Sequence, residues 1–329
     1  MFFIHRRLLR GAVGAIAILL VAINSALSQG SYPARPVTLV VSAGAGGPND
    51  LEARQYATKM TQSMGQPFVL DFKPGAGTTI GTAYVAKAAP DGHTLLVVTV
   101  NFTVVKHFYK EAPFDTLKDF APITQMSERT TIFLAAPSFP AKSLKEYVAY
   151  AKANPGKINF ATSGAGGISH LGGAWLHGAT DSKVTFVHYK GAGAVLIDMM
   201  SGRVDVGPAT YIAAMPLIKS GKLRPLAIMQ NKRTSLLPDV QTVAEQGVAN
   251  YNYPSWLGFV APVATPHVLI LRLRDEFAQI AKAPDLVANL AADGGVMVVS
   301  TPEEFRKRIV SETALFKKLI EENGITLAD

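Results

Sequence analysis

The sequence predicts an α/β protein of two domains with mostly parallel sheets. Strand-like apolar runs alternate with helix-like runs along nearly the whole chain, as in successive βαβ units. The 329 residues exceed what one ordinary domain core accommodates, so two domains are expected. A strand, a glycine-rich turn and a helix follow one another four times, twice in each half of the chain.

Residues 37–42 read as the first strand. The helix expected over 51–64 is ended by Gly65 and Pro67. A strand at 68–72, a helix at 79–88 and a strand at 94–98 follow, the last after the "PDG" turn at 90–92. In the second half a helix over 143–154 is stopped by "NPGK". Then come a strand at 158–161, a helix at 170–177, a strand at 184–189 and a helix at 194–200 closed by Gly202. Short strands are expected at 204–206 and 226–229. From about Pro266 the chain is mainly helical, over 268–282, 284–292 and 302–323.

The first residues combine Arg6, Arg7 and Arg10, an apolar run from Ala12 to Ile23, and small residues with Ala26 and Ser28 at −3 and −1 before Gln29. That is the pattern of a secretory signal peptide over 1–28, the apolar run being short for a spanning helix of roughly 20 residues. Cleavage there leaves 301 residues and lowers the formal charge from +8 to +5, because the segment carries three arginines and no acid. The chain has no cysteine, which removes thiol nucleophiles, Cys-ligated zinc, disulfides and lipidation at a cysteine after the leader. An exported protein of the Gram-negative periplasm is expected. The mild positive charge suits attraction of small anions. No basic cluster interleaved with aromatics points to nucleic acid.

The four turns are "SAGAGGPND" at 42–50, "KPGAGTTIG" at 73–81, "TSGAGGISH" at 162–170 and "KGAGAV" at 190–195. In an open α/β sheet, ligands bind beyond the carboxyl ends of the strands. Helix N-termini there present free N–H groups and the positive end of the dipole, which favours a carboxylate or phosphate. Each turn taken alone is equally a tight connection without a ligand. A dinucleotide fingerprint is excluded, since Asn49, Ile80 and Ser169 stand where the third glycine of G-x-G-x-x-G is required. "GISHL" at 167–171 approaches G-x-S-x-G, but Leu171 replaces the last glycine. Ser169 is therefore expected to cap a helix starting at His170 and to touch a ligand, rather than to act as a nucleophile. The seven histidines form no metal-binding spacing, and His188 reads as a hydrogen-bonded structural residue. Asp50 is either a helix-terminal acid favoured by the dipole or a selector of a donor on the ligand. Phe102, Tyr211 and Trp256 are candidates for either a cleft wall or the core.

An ordered series of segments carries a family resemblance: "YPARPVTLVV", "AGGPND", "KPGAGTTIG", "AAPDGHTLL", "FAPIT", "NPGKINFATSGAGGISHL", "HYKGAGAVLIDMMSGRVDV", "IKSGKLRPLA", "LPDVQTVAEQG" and "WLGFVAP". From about Tyr32 to the C-terminus the chain resembles the Bug-type solute receptors, the periplasmic binding proteins of tripartite tricarboxylate transporters. The resemblance implies a two-domain Venus-flytrap fold of type II, with no catalytic residue, cofactor or metal. Its partners would be a small carboxylate (a di- or tricarboxylate or an aromatic acid) and inner-membrane transporter subunits, and the chain would be monomeric. Carried onto this sequence, the contacts would be Ala45, Gly46, Gly47 and Asp50, with Gly77 and Thr78 nearby. In the second domain they would be Ser163, Gly166, Ser169 and His170, with Lys190, Gly191 and Gly193. The family often has an aspartate after the "VD" strand, where this chain reads "VDVGPATY" with Ala209 and Thr210. That departure favours plain carboxylates over amine-bearing ligands, with Thr210 offering a hydroxyl.

The first domain is expected to comprise 29–127 and 254–329, the second 128–253, with crossings near 125–129 and 253–257. Two other readings stay open: a secreted hydrolase using Ser169 or Ser163, and an amino-acid receptor of an ATP-driven transporter.

Overall fold

In the computed structural model the described residues are 32–45, 48–189 and 191–325, so the expected leader lies outside them. The first sheet begins with β1 (Val37–Val41), β2 (Phe68–Phe72) and β3 (Thr94–Thr99), paired in parallel with β1 in the middle. The β-branched sequence of β1, VTLVV, suits a strand covered on both faces. Strand periodicity divides its side chains: Leu39 and Val41 join Leu95 and Val97 on one face, while Val40 joins Leu96 and Val98 on the other.

Helices cover both faces. The first face receives Tyr56 and Met60 of α1 (Pro48–Met64). The second is joined by Phe102 and Val105 of α3 (Asn101–Phe108), which follows α2 (Thr79–Ala86). Complete burial of such side chains contributes about 1.5–3 kcal/mol each. α1 starts three residues ahead of the expected helix, since proline is well tolerated at the first helical position.

β4 (Phe120–Arg129) ends the first pass through this sheet, and a single residue, Thr130, separates it from β5 (Thr131–Ala135) of the second sheet. The second sheet then collects α4 (Leu144–Ala153), β6 (Asn159–Thr162), α5 (Ile168–Thr180), β7 (Thr185–His188) and α6 (Ala192–Met200). It is completed by β8 (Val206–Thr210), α7 (Tyr211–Lys219) and β9 (Arg224–Ile228). The chain returns through β10 (Trp256–Pro262) and closes with α8 (His267–Ile280), α9 (Pro284–Ala292), β11 (Gly295–Met297) and α10 (Pro302–Asn323). α8 covers the first face through Ile270, Leu273 and Phe277, and α10 covers the second through Phe305, Ile309 and Phe316.

The strand orders are β11-β4-β10-β3-β1-β2 and β7-β6-β8-β5-β9. Both sheets are mixed, where mostly parallel sheets were expected. Every antiparallel pairing among the described strands includes β4, β5 or β10, and every other pairing is parallel. The antiparallel strands are thus those that carry the chain out of one sheet or back into it. Gln230 ties the two crossings together: its Oε1 accepts from Thr131 N over 2.8 Å and its Nε2 donates to Tyr253 O over 3.0 Å.

Candidate functional site

A cavity of about 420 Å³ opens at the carboxyl ends of strands from both sheets. The first sheet contributes Thr99 from the end of β3, Asn101 from the start of α3, and Asn49 from the first turn of α1. The second contributes Ser163, Ser169, Gly193 and Thr210. The crossings add Arg129, Thr131, Tyr253, Ser255 and Trp256. This is the location expected of a ligand site in an open α/β sheet. A smaller pocket of about 50 Å³ shares Asn49, Thr99 and Asn101 with it and extends to Ser42 and Thr78. The Ser42 and Thr78 hydroxyls are buried there without a hydrogen-bond partner among the described residues. Buried orphan hydroxyls are uncommon and point to a ligand or water.

In the first turn, Gly46 and Gly47 lie outside the described residues, and Ala45 is exposed and does not line the cavity. Asp50 is buried in the first turn of α1, its Oδ1 2.7 Å from Arg54 Nε. The neighbouring Asn49 is the residue that α1 places in the cavity wall. In the second turn Gly75, Ala76, Gly77 and Thr78 all have positive φ, at 125°, 42°, 60° and 86°. Gly77 lies against Tyr109, where a Cβ would sit 2.3 Å from Cε2 of the ring, while Thr78 lines the small pocket.

The third turn corrects one sequence expectation. α5 starts at Ile168 with Gly167 as its N-cap, so Ser169 lies inside the first turn and is not the cap. Its Oγ instead accepts the Ser163 N–H over 2.9 Å and lies 2.9 Å from Ser163 Oγ, bracing the turn from within. The buried His170 ring accepts from Gly166 N over 3.2 Å and packs against Phe186 and His188, with ring centroids 4.6 Å away in each case. Gly166 and His170 thus support the turn and do not line the cavity. His188 bonds Thr162 Oγ1 over 2.6 Å. In the fourth turn Lys190 lies outside the described residues, Gly191 is the N-cap of α6, and Ala192 and Gly193 reach the cavity.

Of the candidate aromatics, Trp256 lines the large cavity and Phe102 the small pocket, whereas Tyr211 lies against Gly294 and reaches neither. Trp256 is held by its Nε1 donating to Glu312 Oε2 over 2.8 Å, and Arg308 Nε holds Glu312 in turn at 2.7 Å. Ala209 and Thr210 both line the wall.

Sequence reasoning missed Ser42, Asn49, Thr99, Asn101, Arg129, Thr131 and Ser255. "TVNFT" at 99–103 repeats the strand–turn–helix junction without glycine, and that junction was a usable signal. Arg129 gave none, because its place depends on the crossing. It is the one charged side chain among the described residues that line the large cavity. Its Nη2 pairs with Glu52 Oε2, while Glu52 Oε1 accepts from Ser127 Oγ and, over 2.6 Å, from Tyr56 OH. Burial, and next the nearby Glu52 charge, push the Tyr56 hydroxyl far up, so it stays a donor.

No group of three or more His, Cys, Asp or Glu among the described residues is arranged to hold a metal ion. No helix among them is long and apolar enough to cross a membrane.

The sequence model of the tripartite tricarboxylate transporter family receptor matches residues 52–325. The chain belongs to that receptor family. A UPF0065 protein of Bordetella pertussis is 36% identical over 285 residues, covering 86% of this chain and 87% of that one. Among solved structures, one described as a periplasmic transporter is 34% identical with a TM-score of 0.79, covering 90% of this chain and 99% of that one. R. palustris Rpa4515 with adipate is 29% identical with a TM-score of 0.79 at the same coverage. The fold is that of the two-domain periplasmic binding proteins.

Proposed function

We propose that the chain is a periplasmic receptor that captures a small carboxylate in this cavity, leaves it chemically unchanged, and delivers it to the membrane subunits of a tripartite tricarboxylate-type transporter. One observation carries the reading: the N-terminal turns of α1, α5 and α6, from both sheets, open on the same cavity through Asn49, Ser169 and Gly193. Helix starts of this kind favour a carboxylate. Charge-assisted hydrogen bonds contribute about 1.5–3 kcal/mol each, so a few reach the roughly 8 kcal/mol of micromolar binding. The adipate held by R. palustris Rpa4515 supports a carboxylate as the ligand class.

In this reading 29–127 with 254–329 form one jaw and 128–253 the other, hinged at the crossings, and the receptor acts as an exported monomer after loss of residues 1–28. Gly46, Gly47 and Lys190 complete the anion turns. The engagement of Ser169 Oγ by Ser163, and of the His170 ring by Gly166, favours a binding role for the third turn over a nucleophilic one. A melting-temperature screen of the purified protein against carboxylic acids tests the proposal. At a ligand concentration of about 100 Kd, binding stabilises by about 2.7 kcal/mol, enough to raise the melting temperature by several degrees. A screen in which no carboxylate shifts the transition defeats it. Ester turnover abolished by Ser169→Ala supports a hydrolase instead, and an amino acid bound far more tightly than its deaminated acid supports an amino-acid receptor.

A further inference from the structure

We infer that α10 is a slide for the second jaw: opening and closing the cavity requires α5 to shear along α10, and a cross-link across that seam arrests the receptor. The inference rests on the capture reading above and adds a moving part to it.

α5 serves two cores. Its Leu176 joins the core of the second sheet, with Phe160 and Val206. Leu171 and Ala174, on the same helix, instead join the core that holds Phe305, Phe316 and Leu319 of α10. The partly buried Ile168 and Trp175 pack against both cores. Leu171, Ala174 and Gly178 are spaced i, i+3 and i+7, which puts them on one face of α5. That face is in direct contact with α10. At its far end Gly178 meets the last residue of α10, where an added Cβ would lie 3.3 Å from Asn323 Oδ1. Asn323 is held there by its Nδ2, which donates to Leu319 O over 2.9 Å.

α10 itself is fixed to the first sheet. It packs on β4, and Arg308 Nη2 donates to Glu128 Oε1 over 2.8 Å beside the crossing. Trp256, which lines the cavity, belongs to the same core and meets the Phe305 ring edge-on at 5.2 Å. The other end of the seam reaches the cavity as well, because the first turn of α5 carries Ser169. A jaw movement that changes the separation of Ser169 from Asn49 therefore moves α5 relative to α10. Pulling the two helices apart would expose Leu171, Phe316 and Leu319 to water, which the hydrophobic effect opposes. Sliding keeps them covered, and small slides of packed helices are a recurring way for domains to close.

The chain has no cysteine, so Gly178→Cys/Asn323→Cys carries this thiol pair alone. A Cβ at 178 would be 4.0 Å from Asn323 Cγ, within reach of a disulfide after a side-chain rotation. Small-angle X-ray scattering of the full chain, oxidised and reduced, reads the separation of the jaws. It is measured with and without the carboxylic acid that gives the largest melting shift. The oxidised chain is expected to keep one compact radius of gyration throughout, and the reduced chain to reach that radius only with the acid. An oxidised chain whose radius follows that of the reduced chain overturns the inference, as does a reduced chain that binds the acid without contracting. If mass spectrometry shows no cross-link, Gly178→Leu decides. Its side chain wedges the seam against Asn323 and should change the ligand-free radius, and Asn323→Ala in the same chain should restore it. An unchanged radius overturns the inference. If no acid shifts the melting temperature, the capture reading fails by itself. The ligand-free radii of the oxidised and reduced chains still decide the slide, which equal values overturn.

Discussion

Ser169 Oγ accepts the backbone N–H of Ser163 over 2.9 Å, closing the third glycine-rich turn on itself at the edge of the cavity. The bond makes Ser169 a brace for the backbone groups that face a ligand. Ser169→Ala leaves the Ser163 N–H without its acceptor. We expect a loss of about 1 kcal/mol in stability and about tenfold in carboxylate affinity, with the far-ultraviolet spectrum unchanged. Urea unfolding and calorimetric titration of the same preparation check both. Wild-type affinity in this variant contradicts the bracing role.

Thr78 is a β-branched residue at φ 86°, a conformation that costs energy and recurs at binding sites. Its hydroxyl also lines the small pocket. Thr78→Gly relieves the strain while raising the entropy of the unfolded chain, for a net gain of about 0.5–1 kcal/mol. It should weaken ligand binding at the same time. Stability and affinity moving in opposite directions is the signature. A variant that loses stability contradicts the strain argument.

Gly172 lies beneath the cavity wall, where an added Cβ would be 2.4 Å from the Tyr253 ring. Tyr253 is buried, and its carbonyl accepts from Gln230, so the ring has little room to yield. Gly172→Ala should cost about 1–3 kcal/mol by overpacking and weaken binding by moving a wall residue. Chemical denaturation and titration measure the two effects, and neither appears if the ring swings away freely.

His177 lies far along α5, bonded to Tyr147 OH at 3.1 Å and Ser182 Oγ at 2.8 Å. Burial lowers its pKa from the ordinary 6.5 to about 4. The unfolded chain therefore binds this proton more readily than the folded chain does. Its contribution is complete above pH 6.5 and is lost as the pH falls from 6.5 toward 4, amounting to roughly 2–3 kcal/mol near pH 4.5. His177→Gln should be less stable at pH 7 but show a flatter dependence over that window. Parallel curves for the two proteins, from urea unfolding at several pH values, contradict the assignment.

What the sequence disclosed depended on whether the signal was local. α9 and α10 were readable to the residue because proline opens each of them, and Thr301 and Glu304 form a capping box at the start of α10. β2 was readable from a run bounded by turn residues. β4 and β10 were not, since both are buried almost throughout and carry prolines at 122 and 262, so no alternation marks them. The same division runs through the site. Ser163, Ser169, Gly193, Thr78 and Thr210 were legible because glycine-rich turns and strand ends announce themselves. Arg129 and Asn49 were not, because their positions follow from which strands cross and how α1 is rotated. His170 and Asp50 stood in the right turns but face inward, a matter of side-chain direction that spacing does not fix.

The most direct measurement of the central claim is calorimetric titration with one carboxylic acid, the one giving the largest melting shift, and with its uncharged primary amide. Helix starts converging on an anion predict single-site binding of the acid and at least about a hundredfold weaker binding of the amide. An amide that binds as tightly as the acid contradicts the account.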